Sequence, residues 1–223
     1  MNDRKNIGAA GHILHERAVD LDGATECSPR RGKLRSRQAV ATAASAESLA
    51  RIRRPELAGE AFIAGLPHNL GIVVQLHLDS PGVHAMIKLR EAGAVRDMRA
   101  LEWECVAIGH EECVGVIFEA WQLPESLIAA ARDHHDPMAA APLHRELAAF
   151  INLGANLGLA GGSTFGLEPS SVARNAPAMA WLELEDGQLD DIAVDMPARV
   201  ATLRSALLDP WAVRASPSAA LSA

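Results

Sequence analysis

Four histidines stand out in this chain because each sits beside a helix-breaking or helix-starting residue. His68 lies in Gly-Leu-Pro-His-Asn-Leu-Gly, His110 in Ile-Gly-His-Glu-Glu-Cys-Val-Gly, and His134-His135 in Ala-Arg-Asp-His-His-Asp-Pro. Imidazoles at helix ends can converge from several helices inside a bundle, where neutral nitrogen donors suit divalent transition metals. The acidic residues nearby, Glu111, Glu112, Asp133 and Asp136, are candidate supplementary carboxylate ligands, although at helix ends such residues also serve as caps or solvated charges. His77, His84 and His144 fall in no comparable pattern and read as ordinary hydrogen-bonding histidines.

The elements that must position these residues are helical. Leu34 to Arg54 is Ala-rich with larger apolar residues at helical intervals, and Pro55 ends it. A second helix from Pro55 carries Leu57, Phe62, Ile63, Leu66 and Leu70 toward His68, and the pattern predicts continuation past Gly71 to Leu78 before a turn at Ser80-Pro81-Gly82. Further helices are predicted near Val83–Glu91, Val95–Ile108, Glu111–Trp121, Pro124–His134, Leu143–Leu159, Ala176–Leu184 and Asp190–Leu208, with a Gly/Ser/Pro-rich loop after Gly161-Gly162. The expected fold is all-α, with residues 1–32 a disordered leader, 33–208 the helical domain and 209–223 a frayed tail.

Bulk properties narrow the function classes. At 223 residues and 49% hydrophobic content, the chain can bury a sizeable core. A formal charge of -7 gives a field that repels phosphate backbones and anionic membrane surfaces. Neither nucleic acid nor membrane is expected as a partner. The basic run Arg30, Arg31, Lys33, Arg35 and Arg37 is read as a solvated flank. No run of about 18 consecutive apolar residues appears, and the first residues do not form a signal core, so a cytoplasmic protein is expected. Cys27, Cys105 and Cys113 form no C-x-x-C pair and read as reduced thiols, with Cys105 and Cys113, eight apart at helical spacing, as small buried hydrophobes.

The segment Ala61 to Gly71, Ala-Phe-Ile-Ala-Gly-Leu-Pro-His-Asn-Leu-Gly, resembles the HDOD and HD-superfamily motif A-F-x-A-G-L-L-H-D-I-G. His110, a Gly115 shifted by one place, Trp121, Leu123, Pro124, His134, His135 and Pro137 resemble the succeeding family motifs in order. The similarity runs from about Leu34 to Leu208, without room for the N-terminal helical subdomain of a full HDOD module. Trp121 is expected as a core anchor and Pro124 as the start of the next helix.

The resemblance implies an HD-domain-like helical bundle of the bacterial, cytoplasmic signalling kind, with His68, His110, His134 and His135 as a relic or weak metal site. It also implies that Asn69 and Asn156 occupy positions where HD phosphohydrolases place aspartate ligands, and that the family's first-helix histidine, expected near Ser36 or Arg37, is absent. An amide carbonyl is neutral where a carboxylate would offset a divalent cation and help deprotonate its water. The expectation is therefore a noncatalytic regulatory output module, with no catalytic residue assigned and no required cofactor, acting through a signalling protein partner or a small ligand. The enzymatic alternative is a metal-dependent phosphohydrolase keeping zinc, manganese or iron on its histidines.

Overall fold

The computed structural model describes residues 29–92, 98–160 and 175–208. In chain order it contains α1 (Pro29–Arg53), a 3-10 turn (Pro55–Leu57), α2 (Ala58–Gly65), α3 (Leu70–Leu78), α4 (Ser80–Glu91), α5 (Met98–Cys105), α6 (His110–Ala120), α7 (Glu125–Arg132), a second 3-10 turn (Pro137–Ala139), α8 (Arg145–Ala160), α9 (Ala176–Trp181) and α10 (Asp186–Leu208). No strand occurs among the described residues. The all-α architecture is as the sequence predicts.

Alanine sets the packing of α1. Ala41, Ala43, Ala44, Ala46 and Ala50 are buried there with Val40 and Leu49, and their short side chains let neighbouring helices come close. Glycines on those neighbours complete the approach. A Cβ on Gly65 of α2 would stand 2.7 Å from the Ala43 Cα, and one on Gly154 of α8 would stand 2.8 Å from the Thr42 carbonyl oxygen. The main core joins this face of α1 to Phe150 and Ile151 of α8, Ala178 of α9, and Leu189 and Ile192 of α10.

Two smaller cores lie on the other side. Val74 of α3 packs with Val114, Ile117 and Phe118 of α6 and Ile128 of α7. Ile72 of α3 packs with Val83 and Met86 of α4 and Met98 and Leu101 of α5. Thus α3 presents opposite faces to two clusters, which explains its almost uninterrupted apolar sequence.

Several boundaries differ from expectation. Helix α1 already begins at Pro29, so the basic run is helical. Ser80-Pro81-Gly82 is not a turn but the opening of α4: the Asp79 side chain accepts from the Gly82 N–H at 2.9 Å, and proline is compatible with a first helical turn. Helix α10 starts at Asp186, ahead of the predicted Asp190, and continues through Pro197. The predicted leader to residue 28, the loop at 161–174 and the tail from 209 lie outside the described residues, as does Cys27.

The stretch Pro55–Leu78 reaches a mean hydropathy of 1.3 over a membrane-length window. It is broken by a turn between Gly65 and Leu70 that holds the buried His68. The interruption exists because Pro67 cannot donate a backbone hydrogen bond; Leu70 N–H instead returns to the Pro67 carbonyl at 2.8 Å.

Candidate metal centre

The four histidines converge. His68 comes from the turn between α2 and α3, His110 is the first residue of α6, and His134 and His135 follow the end of α7. Ring centroids are 5.2 Å apart for His68–His134, 5.4 Å for His110–His134, 5.0 Å for His110–His135 and 4.1 Å for His134–His135. His68, His110 and His134 are each 1% exposed, whereas His135 lies at the surface of the cluster and is exposed.

Hydrogen bonding orients the rings. His68 Nδ1–H donates to the Gly65 carbonyl at 2.7 Å, and His134 Nδ1–H donates to the Ala131 carbonyl at 2.7 Å. A carbonyl can only accept, so each Nδ1 carries the proton and each Nε2 is left with a lone pair in the neutral ring. Both Nε2 atoms are buried without a partner. His110 directs Nδ1 at Glu102 Oε1, 2.7 Å away, and its Nε2 lies 3.1 Å from His135 Nε2.

The electrostatics keep lone pairs available. Burial lowers His68 to about 4, with a weaker opposing contribution from the Gly65 carbonyl. Burial, reinforced by His135, His68 and His110, holds His134 well below the ordinary histidine range. His110 differs: burial opposes its charged form, but the hydrogen bond and charge of Glu102 outweigh that and raise its pKa.

This donor set fits a divalent transition metal. Nδ1 anchored to a carbonyl or carboxylate, with Nε2 turned inward, is the arrangement that outer-sphere partners impose on metal-binding imidazoles. Ligand atoms of His110, His134 and His135 lie within 4.8 Å of one another, a little beyond the span of about 4 Å that one ion at imidazole bonding distance bridges, so small side-chain shifts bring them onto it. The unpartnered Nε2 of His134 is a buried polar atom that such an ion would satisfy; the equally unpartnered Nε2 of His68 lies outside that three-histidine group, on a ring whose centroid is 5.2 Å from that of His134.

The asparagines lie beside the cluster on its amide side. Asn69 Nδ2 donates to Gln38 Oε1 at 3.4 Å, and Asn156 Nδ2 reaches Asn152 Oδ1 at 3.5 Å. Asn152 in turn donates to the His134 carbonyl at 2.7 Å. The residue of α1 that meets Asn69 is the buried Gln38, 1% exposed, one or two places after Ser36 and Arg37, near which the family's first-helix histidine is expected.

The carboxylates come from α5 and α6. Glu102, from α5, is fully buried, and its Oε2 also accepts the His110 backbone N–H at 3.3 Å. Glu111 is buried beside them, with Arg99 Nε 3.4 Å away, and burial pushes its carboxyl up to about 7 against the pull of His110 and Arg99. Ligand atoms of Glu102, His110 and Glu111 also fall within 4.8 Å of one another. Glu111 and Glu112 occupy the first turn of α6, where the helix dipole favours negative charge.

Other singled-out residues do not join the site. Trp121 is 56% exposed and stacks on Phe118, so it is not the expected core anchor. It ends α6, where Gln122 at φ 55° turns the chain outward. Pro124 caps α7 rather than starting it. His84 Nδ1–H donates to the Ser80 carbonyl at 2.6 Å. Cys113 is buried and its thiol is pushed up to about 12, mainly by burial, which makes it inert.

Comparison with known proteins bears on the family and the fold. The HDOD domain family matches residues 22–137. An uncharacterized protein of Treponema pallidum (strain Nichols) is 35% identical over 82 residues, 36% of this chain and 15% of that protein. A crystal structure of a "Putative signal transduction protein" from Marinobacter aquaeolei VT8 superposes with TM-score 0.66 at 25% identity, over 83% of this chain and 39% of that one. A "Putative phosphohydrolase" from Shewanella amazonensis SB2B superposes with TM-score 0.54 at 18% identity, over 90% of this chain and 69% of that one, and is similar in fold. The chain therefore spans well under half the length of the first two.

Proposed function

Because the chain belongs to the HDOD domain family, we propose that it is a cytoplasmic signal-transduction module, noncatalytic in itself, that holds one divalent transition metal on His68, His110, His134 and His135 and acts through a protein partner or small ligand. One observation carries the metal: two buried imidazoles in edge contact, His68 and His134, keep unpartnered Nε2 atoms while their Nδ1 atoms are anchored. Zinc, manganese and iron are the candidates, with imidazole ligation favouring zinc or iron.

The noncatalytic part rests on Asn69 and Asn156. Neither supplies the anionic oxygen that would help deprotonate a bound water, and both are engaged with neighbouring amides. The likeness to the Marinobacter signal transduction protein supports the signalling role.

A second reading, metal-dependent phosphoester hydrolysis, is favoured by the exposure of His135, which opens the centre to solvent on one side. When bound, a divalent ion would polarise a phosphoryl oxygen and lower the pKa of its water. Elemental analysis of protein purified without chelators or a histidine tag, beside a His134→Ala/His135→Ala variant, separates the cases. About one metal per chain, lost in the variant, is expected. Metal in neither protein overturns the metal centre. Phosphoester turnover that disappears in the variant overturns the noncatalytic reading.

A further inference from the structure

Resting on the metal reading above, we propose that Glu102 is a positioning residue of the centre, holding His110 in the tautomer that binds metal and supplying from outside the ligand shell the negative charge that Asn69 and Asn156 lack. The two carboxylate oxygens have different tasks. Oε1 faces His110 Nδ1 at 2.7 Å and Oε2 accepts the His110 backbone N–H at 3.3 Å. Glu102 and His110 come from different helices and are 0% and 1% exposed, so solvent supplies neither partner. With an acceptor fixed at Nδ1, the proton stays there and, in the neutral ring, the Nε2 lone pair faces His135 Nε2 at 3.1 Å.

A carboxylate is needed because both groups facing it are donors. Glutamine has one accepting oxygen. If that oxygen keeps the backbone N–H, its NH2 faces Nδ1, which must then accept, and the ring proton moves to Nε2. The ring would therefore be held in the tautomer that cannot ligate through Nε2. A purely structural capping role would instead be largely retained by glutamine.

The test is Glu102→Gln, with zinc affinity measured by chelator competition and stability of the metal-free protein measured in parallel. Outer-sphere partners of metal-bound histidine are worth about 10–100-fold in affinity, and a loss of that size is expected, with one metal still bound by the wild type. Long-range 1H–15N correlation of zinc-loaded wild-type protein supplies a second readout independent of whether the variant folds, and His110 is expected to ligate through Nε2 with Nδ1 protonated. Wild-type affinity in Glu102→Gln, with or without lower metal-free stability, overturns the assignment, as does ligation of His110 through Nδ1. A wild-type protein that takes up no zinc overturns both this inference and the metal reading on which it rests.

Discussion

The two walls of the histidine cluster are built from opposite materials. On the α1 and α8 side the polar groups are neutral amides, Gln38, Asn69, Asn152 and Asn156, linked to one another or to the His134 carbonyl. On the α5 and α6 side they are the carboxylates Glu102, Glu111 and Glu112, arranged round His110. The asymmetry explains why three buried imidazoles do not share one protonation behaviour. His68 and His134 meet carbonyls and neighbouring imidazoles and stay neutral, whereas His110 meets a charge. Reading the amides alone suggests a centre stripped of negative charge; the other wall holds two buried carboxylates, Glu102 and Glu111, beside His110.

The largest test of this contrast is Glu102→Ala in metal-free protein. Removing one member of a buried pair costs about 3–5 kcal/mol, and urea unfolding should show a loss in that range. A loss below about 1 kcal/mol would mean that the carboxylate wall contributes no more than a surface charge. Next is acidification. His68 has a folded pKa near 4, below the ordinary 6.5, so between those values the unfolded chain binds more protons and stability falls as pH drops. At about 1.4 kcal/mol per unit, the loss is on the order of 3 kcal/mol across pH 6.5 to 4.

His134 adds to the acid loss, because its pKa is also lowered. His110, raised by Glu102, acts in the opposite sense, so Glu102→Ala should steepen the decline. An unchanged pH profile in that variant would erase the proposed difference between the walls.

On the amide wall, Asn152→Ala leaves the buried His134 carbonyl without its donor and should cost about 2 kcal/mol, read from the same denaturation curves. Smallest is Gln122→Gly, remote from both walls. A non-glycine residue at φ 55° carries a cost of about 1 kcal/mol, so the variant should melt a few degrees higher and bind metal as the wild type does.

The histidines are legible in sequence because each follows or begins a helix within a short motif, and the motif order brings them together. Their outer partners are less so. Gln38 belongs to no motif, and nothing in the Leu-Arg-Ser-Arg-Gln sequence marks it as the α1 residue that meets Asn69. Glu102 sits in Met-Arg-Ala-Leu-Glu-Trp-Glu-Cys, where a charged residue normally faces water. A signal was nevertheless present: Met98, Leu101 and Glu102 fall at i, i+3 and i+4, which puts the glutamate on the buried face with Met98 and Leu101.

Helix ends of α4 and α10 were missed for local reasons. Asp79 caps a helix whose Ser-Pro-Gly start resembles a turn, and α10 opens four residues before the first expected position. Trp121 was misjudged because a large aromatic between two helices is usually enclosed, while here the left-handed Gln122 carries the next segment away from it.

Gly71 touches neither a histidine side chain nor a carboxylate, yet a single methyl at its Cα would stand 1.9 Å from the His110 carbonyl oxygen. Helix α3 is thus a mould against which the start of α6 is cast. A random-mutagenesis screen for lost metal uptake should therefore recover replacements of this glycine alongside those of the ligands, and a lineage that kept the centre would have had little freedom to change it.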